Sequence, residues 1–301
     1  MDLRTKPDHM IKGLPHIPQA DVTHIHRKWL DIPYANLSTA QILDIYLPDE
    51  GDGPFPVILH IHGGGFEMGD KRDMPVSAYF LGLKRGYALI SVNYRLIGEA
   101  IFPAGLQDLK ASIRWLRANQ DAYRLDGNRI AACGGSAGGN YAAMLLLTPD
   151  RPELEDLSLG NPNYPCNVQA AVDMFGPTDF LKMDEQLAES GLGLGDHSQA
   201  NSPESKYLGA KITDVPTRVQ QANPITYVHK DMPPILIQHG RLDHLVPVQQ
   251  SIIFVEKLNK CVNPEIFKFD ILENADHGDP QFESPENMNR VFSFLDKHLQ
   301  K

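Results

Sequence analysis

Gly134-Gly135-Ser136-Ala137-Gly138 stands between a short apolar run, Arg129 to Cys133, and a stretch rich in Ala, Met and Leu, Gly139 to Leu147. The first predicts a buried strand and the second a helix. A serine on a strand-to-helix turn, with glycines at minus two and plus two, reads as a nucleophile elbow. The requirement is steric. The turn holds the serine in a strained backbone conformation, and a side chain at either flanking position would block the close approach of strand and helix. The hydroxyl then stands above the sheet, open to a substrate carbonyl. Two other glycine-rich turns fit less well. No Lys-Ser or Lys-Thr follows, as a P-loop requires. Several strands precede the turn and the G-x-G-x-x-G spacing is missing, which argues against a dinucleotide fingerprint.

Outward from the turn, apolar strands alternate with helices. Upstream, His24 to Ile32 and Gln41 to Leu47 read as an antiparallel hairpin joined through Pro33 to Thr39, after an irregular lead-in over Met1 to Asp21. Val57 to Ile61 and Tyr87 to Val92 read as strands, and Phe102 to Asn119 as an amphipathic helix with Leu106, Leu109, Ile113 and Leu116 on one face. Downstream, strands are expected at Val168 to Phe175, Ile235 to His239 and Glu265 to Leu272. Helices are expected at Val248 to Leu258 and Pro285 to Leu299. Strands apolar throughout imply a mainly parallel sheet covered by helices on both faces, an α/β fold. Two stretches break the rhythm, Thr148 to Asn167 and the long Phe180 to Lys230. The second follows a strand that ends near the elbow, so it reads as a cap on one domain spanning residues 1–301.

Composition narrows the function classes. The chain has 301 residues and a formal net charge of −10, which disfavours nucleic acid and anionic membranes as partners. No apolar run reaches the length of a membrane span, and Met1 to Pro18 has no apolar h-region, so the expectation is a cytoplasmic protein. The three cysteines, Cys133, Cys166 and Cys261, show no metal or redox spacing, and Cys133 reads as a small apolar filler within a strand. His24 with His26, and His239 with His244, lack a matching carboxylate spacing, so neither a metal nor a cofactor is expected. The oligomeric state stays open, a homodimer included.

Acyl transfer by a serine needs a base, an acid that orients the base, and donors for the oxyanion. In an open sheet these lie at the carboxyl ends of strands, in chain order serine, acid, histidine. His277 lies just past the last strand. Asp243 follows the Ile235 to His239 strand in Gly240-Arg241-Leu242-Asp243. Asp179 and Asp276 are rivals for the acid, and Asp243 is preferred because it combines the strand end with the chain order. His62-Gly63-Gly64-Gly65 follows the Val57 to Ile61 strand. The amides of Gly64 and Gly65, with that of Ala137, would form the oxyanion hole, and His62 would fix the loop by hydrogen bonding. Tyr94-Arg95 and Asp108 read as structural, with an ion pair near the elbow.

The set HGGGF, VNYRL, the FPAGLQDLKASIRWLRAN helix, GGSAGG, GPTDF, GRLDHLVP and ADHG resembles the α/β-hydrolase superfamily. Within it, the chain is similar to the esterase/lipase branch with the HGGG loop. The resemblance is greatest to bacterial carboxylesterases related to feruloyl and acetyl-xylan esterases, near the hormone-sensitive-lipase group, and runs from about Leu43 to the C-terminus. It implies Ser136 as nucleophile, Asp243 as acid, His277 as base, and Gly64, Gly65 and Ala137 as oxyanion donors. The hormone-sensitive-lipase elbow usually has Asp before the serine, where this chain has Gly135, and no long N-terminal cap helices are evident. Both departures point towards feruloyl and acetyl esterases and away from lipases of long acyl chains. The implied substrate is a small-molecule or oligosaccharide ester. An amidase or peptidase, and a ligand receptor without turnover, are the alternatives on the same fold.

Overall fold

The computed structural model describes residues 17–193 and 195–300. Up to residue 16, the expected lead-in lies outside the described residues. Eight strands form one sheet: β1 (Lys28–Pro33), β2 (Ile42–Tyr46), β3 (Phe55–Ile61), β4 (Ala88–Val92), β5 (Leu125–Gly135), β6 (Ala170–Met174), β7 (Ile235–Gly240) and β8 (Phe267–Leu272). Their order across the sheet is β1-β2-β4-β3-β5-β6-β7-β8. β2 pairs antiparallel with both β1 and β4, and from β4 onward every pairing is parallel. The first strand begins at Lys28, later than the hairpin reading placed it. Its register slips between Trp29 and Ile32, where Asp31 takes a left-handed φ of 57°.

The continuous apolar strands have the cause expected of them, burial on both faces. Along β3, Val57, Leu59 and Ile61 join one core cluster, while Ile58 joins the other. The first cluster is closed by α1 (Ala104–Ala118), α3 (Ala137–Leu147) and α7 (Gln249–Cys261), with a short α2 (Gln120–Tyr123) beside β5. The second is closed by a 3-10 stretch, Met74–Arg85, and by α8 (Pro285–Leu299). The tip of the N-terminal half of α8 is capped by Ser284, whose side chain accepts the amide of Asn287.

The two irregular stretches are held by specific partners. Lys110, Arg114 and Arg117 on α1 are buried, and they donate to Thr148 O, to Glu155 with Asp156 O and Gly160 O, and to Pro165 O with Asn167 O. These cations replace the backbone ladder that Thr148 to Asn167 lacks. The Phe180 to Lys230 stretch contains α4 (Met183–Ser190), α5 (Pro203–Leu208) and α6 (Pro216–Ala222). No helix among the described residues is long and apolar enough to cross a membrane.

Candidate active site

Ser136 stands between β5 and α3 with φ 57° and ψ −124°, a strained backbone for a residue with a side chain. Its amide donates to Met174 O at 2.9 Å, tying the turn to the end of β6. A Cβ on Gly134 would lie 2.5 Å from the Gly138 backbone, and one on Gly138 would lie 2.2 Å from Ile61 O. Only glycine permits this approach of β3, β5 and α3, which is the steric reading of the motif.

The chain then brings two distant loops to this hydroxyl. His277 Nε2 lies 3.0 Å from Ser136 Oγ, and its Nδ1 lies 2.8 Å from Asp243 Oδ2. With the Nδ1 proton donated to the carboxylate, Nε2 is left to accept the serine proton. Asp243 is fully buried. Its Oδ1 accepts the amides of Leu245 at 3.0 Å and Val246 at 2.7 Å. Burial alone would raise its pKa, but hydrogen bonds from His239 and His277 outweigh it and hold the carboxyl well below the usual range.

The rival acids are engaged elsewhere. Asp276 accepts from His244 Nδ1 at 2.7 Å and from the His277 amide at 2.6 Å, so it meets the backbone of the histidine and not its ring. Asp179 accepts from Asn223 Nδ2 at 3.2 Å. The histidine pairs also have other partners. His24 packs edge-on against Phe80, His26 faces Asp49, and His239 contacts Val246 O, Ser251 and Asp243.

The loop after β3 lies against the elbow, where a Cβ on Gly63 would be 3.3 Å from Ser136 Cβ. His62 Nδ1 donates to Gly63 O at 2.8 Å, and its ring stacks on Tyr94 at 4.4 Å. Burial lowers the pKa of His62, consistent with a neutral ring fixing the loop. Gly64 and Gly65 have φ of 103° and 58°, available only to glycine without strain. Among the described residues, the amides of Gly64, Gly65 and Ala137 have no hydrogen-bond partner. Behind this loop, Arg95 forms a multiple hydrogen-bonded ion pair with the buried Asp108.

The 180–230 segment touches both sides of the site. Phe66 of the glycine loop stacks on Tyr207 at 3.9 Å, and Pro203 lies against Gly65. On the other side, His197 Nε2 donates to Leu245 O at 2.9 Å, next to Asp243.

Three residues beside the site have roles that the sequence does not signal. His239 supports Asp243, and Phe175 packs on His277. Asp173 on β6 is buried under the elbow, where its Oδ1 accepts the Gly176 amide at 2.9 Å and its Oδ2 has no partner among the described residues. Burial pushes its pKa up to about 6. Its folded value exceeds the unfolded one, so its contribution to stability is full below about pH 4 and is lost as pH rises through 6. Asp173→Asn abolishes this dependence. In thermal unfolding, the variant should gain on the parent by about 1 kcal/mol between pH 5 and pH 8. A gap that is flat with pH would show that Asp173 does not titrate there.

Sheet order, elbow and the converging side chains define an α/β-hydrolase. The chain belongs to the BD-FAE family, whose model matches residues 43–258. It is 31% identical over 234 residues to a probable carboxylic ester hydrolase, LipM, of Mycobacterium tuberculosis, covering 76% of this chain and 51% of LipM. It is also 31% identical to the esterase LipQ of the same organism, covering 88% of this chain and 60% of LipQ. The chain thus spans little more than half the length of these curated relatives. Among solved structures, a truncated carbohydrate esterase from gut microbiota superposes with a TM-score of 0.82 at 28% identity, over 94% of this chain and all of that one. A bifunctional GH43-CE protein of Bacteroides eggerthii gives a TM-score of 0.81 at 30% identity, over 90% of this chain and 35% of that protein.

Proposed function

We propose that the chain is a serine carboxylic ester hydrolase. Ser136 Oγ attacks the ester carbonyl as His277 Nε2 takes its proton. The tetrahedral intermediate collapses to an acyl-serine, and the alcohol leaves with the proton from His277. Water, deprotonated by the same imidazole, then releases the acid. Asp243 keeps the Nδ1 proton in place and stabilises the imidazolium. Gly64, Gly65 and Ala137 are the oxyanion donors, each worth about 3 kcal/mol in the transition state. The observation that carries this reading is the 3.0 Å contact between His277 Nε2 and Ser136 Oγ, backed by the buried Asp243.

Within that class, we infer short acyl or hydroxycinnamoyl esters as substrates, carried on plant-derived sugars. Support comes from the similarity to a carbohydrate esterase over the whole of that protein's length. The contacts of residues 180–230 with both the glycine loop and the Asp243 loop support a cap that limits the acyl group, on a single hydrolase domain. The test is kcat/KM across acetyl, butyryl, octanoyl and feruloyl esters and one matched anilide. Acetyl or feruloyl esters should lead, with octanoyl at least about tenfold lower, the scale of pocket-size discrimination. A preference for octanoyl would overturn the substrate reading, and a preference for the anilide would make the chain an amidase.

A further inference from the structure

The two nitrogens of His277 are fixed by Ser136 and Asp243. Both bonds lie in the plane of the ring and weaken as the ring tilts out of it. A third contact, on the ring itself, resists that tilt. Phe175, the residue after β6, supplies it. Its ring meets the imidazole edge-on, with centroids 4.9 Å apart and planes at 68°. It is itself wedged against Phe282 at 4.5 Å and is 8% exposed. Its backbone is held in the left-handed region at φ 46°, with its amide on Gln238 O at 2.7 Å. The preceding residue, Met174, accepts the Ser136 amide, so adjacent residues grip the backbone of the serine and the ring of the histidine.

The same ring also packs against the elbow. A Cβ on Gly135 would lie 2.8 Å from Phe175 Cζ and 3.0 Å from Cε2, while its next neighbour, Met174 O, is 3.7 Å away. A side chain at 135 would therefore have to displace the Phe175 ring and nothing else among these neighbours.

We propose that Phe175 is a positioning residue for the His277 imidazole, and that Gly135 is small in order to admit its ring. This rests on the esterase reading of the site. A base displaced by about 1 Å loses on the order of a hundredfold in rate, so the effect belongs in kcat.

Three variants test it: Phe175→Leu, Gly135→Ala and the double variant. Leucine is unbranched at Cβ and tolerates the left-handed backbone better than valine or isoleucine. With p-nitrophenyl acetate, Phe175→Leu should lower kcat by about ten- to a hundredfold with KM within about twofold. Gly135→Ala alone displaces the ring that packs on the imidazole and should lower kcat similarly. This arm stands even if Phe175→Leu does not fold. In the double variant, alanine at 135 should add less than about twofold to the loss from leucine at 175, because its obstacle is gone. Unfolding temperatures should show the same non-additivity.

Retention of parent kcat by Phe175→Leu would overturn the positioning role. Full additivity of the two changes would overturn the coupling. A parent protein that hydrolyses no ester and takes no fluorophosphonate label would overturn the esterase reading and this inference with it. A parent that is active and labelled, with unaffected variants, would sink this inference alone.

Discussion

Ser136→Ala should lower kcat for p-nitrophenyl acetate by about a million-fold, the scale seen when one member of a concerted nucleophile and base is removed. The substitution is clean. Alanine keeps the Cβ that packs near Gly63 and needs the same backbone conformation, so the turn loses only the oxygen. Its unfolding temperature should stay within a few degrees of the parent. Fluorophosphonate labelling, which requires an activated oxygen, should vanish. The remaining activity would come from the amides of Gly64, Gly65 and Ala137, which still polarise a bound carbonyl. Labelling that survives in Ser136→Ala would locate the nucleophile elsewhere and remove the basis for the proposed mechanism.

The candidate site is legible in the sequence because its parts are separated along the chain. Each proposed group lies at or just past a carboxyl end of a strand. Strands β3, β5 and β7 are marked by apolar runs buried on both faces, and β8, at the sheet edge, by alternation of Phe267, Phe269 and Ile271 with polar residues. Strand ends therefore could be located, and chain order did the rest. Residues that act across the sheet left no such trace. Phe175 and Asp173 read as ordinary members of an apolar segment, because pairing between β5, β6 and β7 decides what they touch. For His239 the sequence excludes a metal pair with His244 and says nothing more, while its ring meets Val246 O, Ser251 and Asp243. Gly135 stood out only as a departure from related elbows, and the ring of Phe175 supplies its physical cause. The Met74–Arg85 stretch is 3-10 in form, opened by a proline and ended by Gly86 in the left-handed region, and its i to i+3 geometry escapes a search for 3.6-residue periodicity. The buried cations of α1 were equally silent, since a lysine or arginine on the polar side of an amphipathic helix reads the same whether water or a loop covers it.

Asp243→Asn should lower kcat by about ten-thousandfold with little change in KM, a loss of tautomer control and not of binding. The direction follows from the surroundings of the carboxylate. Oδ1 accepts two backbone amides, from Leu245 and Val246, and an asparagine can satisfy both only by placing its oxygen there. Its NH2 is then forced into the position of Oδ2, facing His277 Nδ1. Two donors cannot face each other, so the imidazole must carry its proton on Nε2, and that N–H points at Ser136 Oγ. A base so protonated cannot accept the serine proton. His239 keeps Val246 O as an acceptor at 2.8 Å, so the change should not unfold the β7 end. Asp276→Asn and Asp179→Asn provide the comparison. The first carboxylate bonds His244 and a backbone amide and the second bonds Asn223, so neither governs the ring of His277. Both variants should stay within a few-fold of the parent in kcat, measured beside Asp243→Asn at the same pH. If Asp276→Asn or Asp179→Asn collapses the rate and Asp243→Asn does not, the acid of this site has been assigned to the wrong strand end.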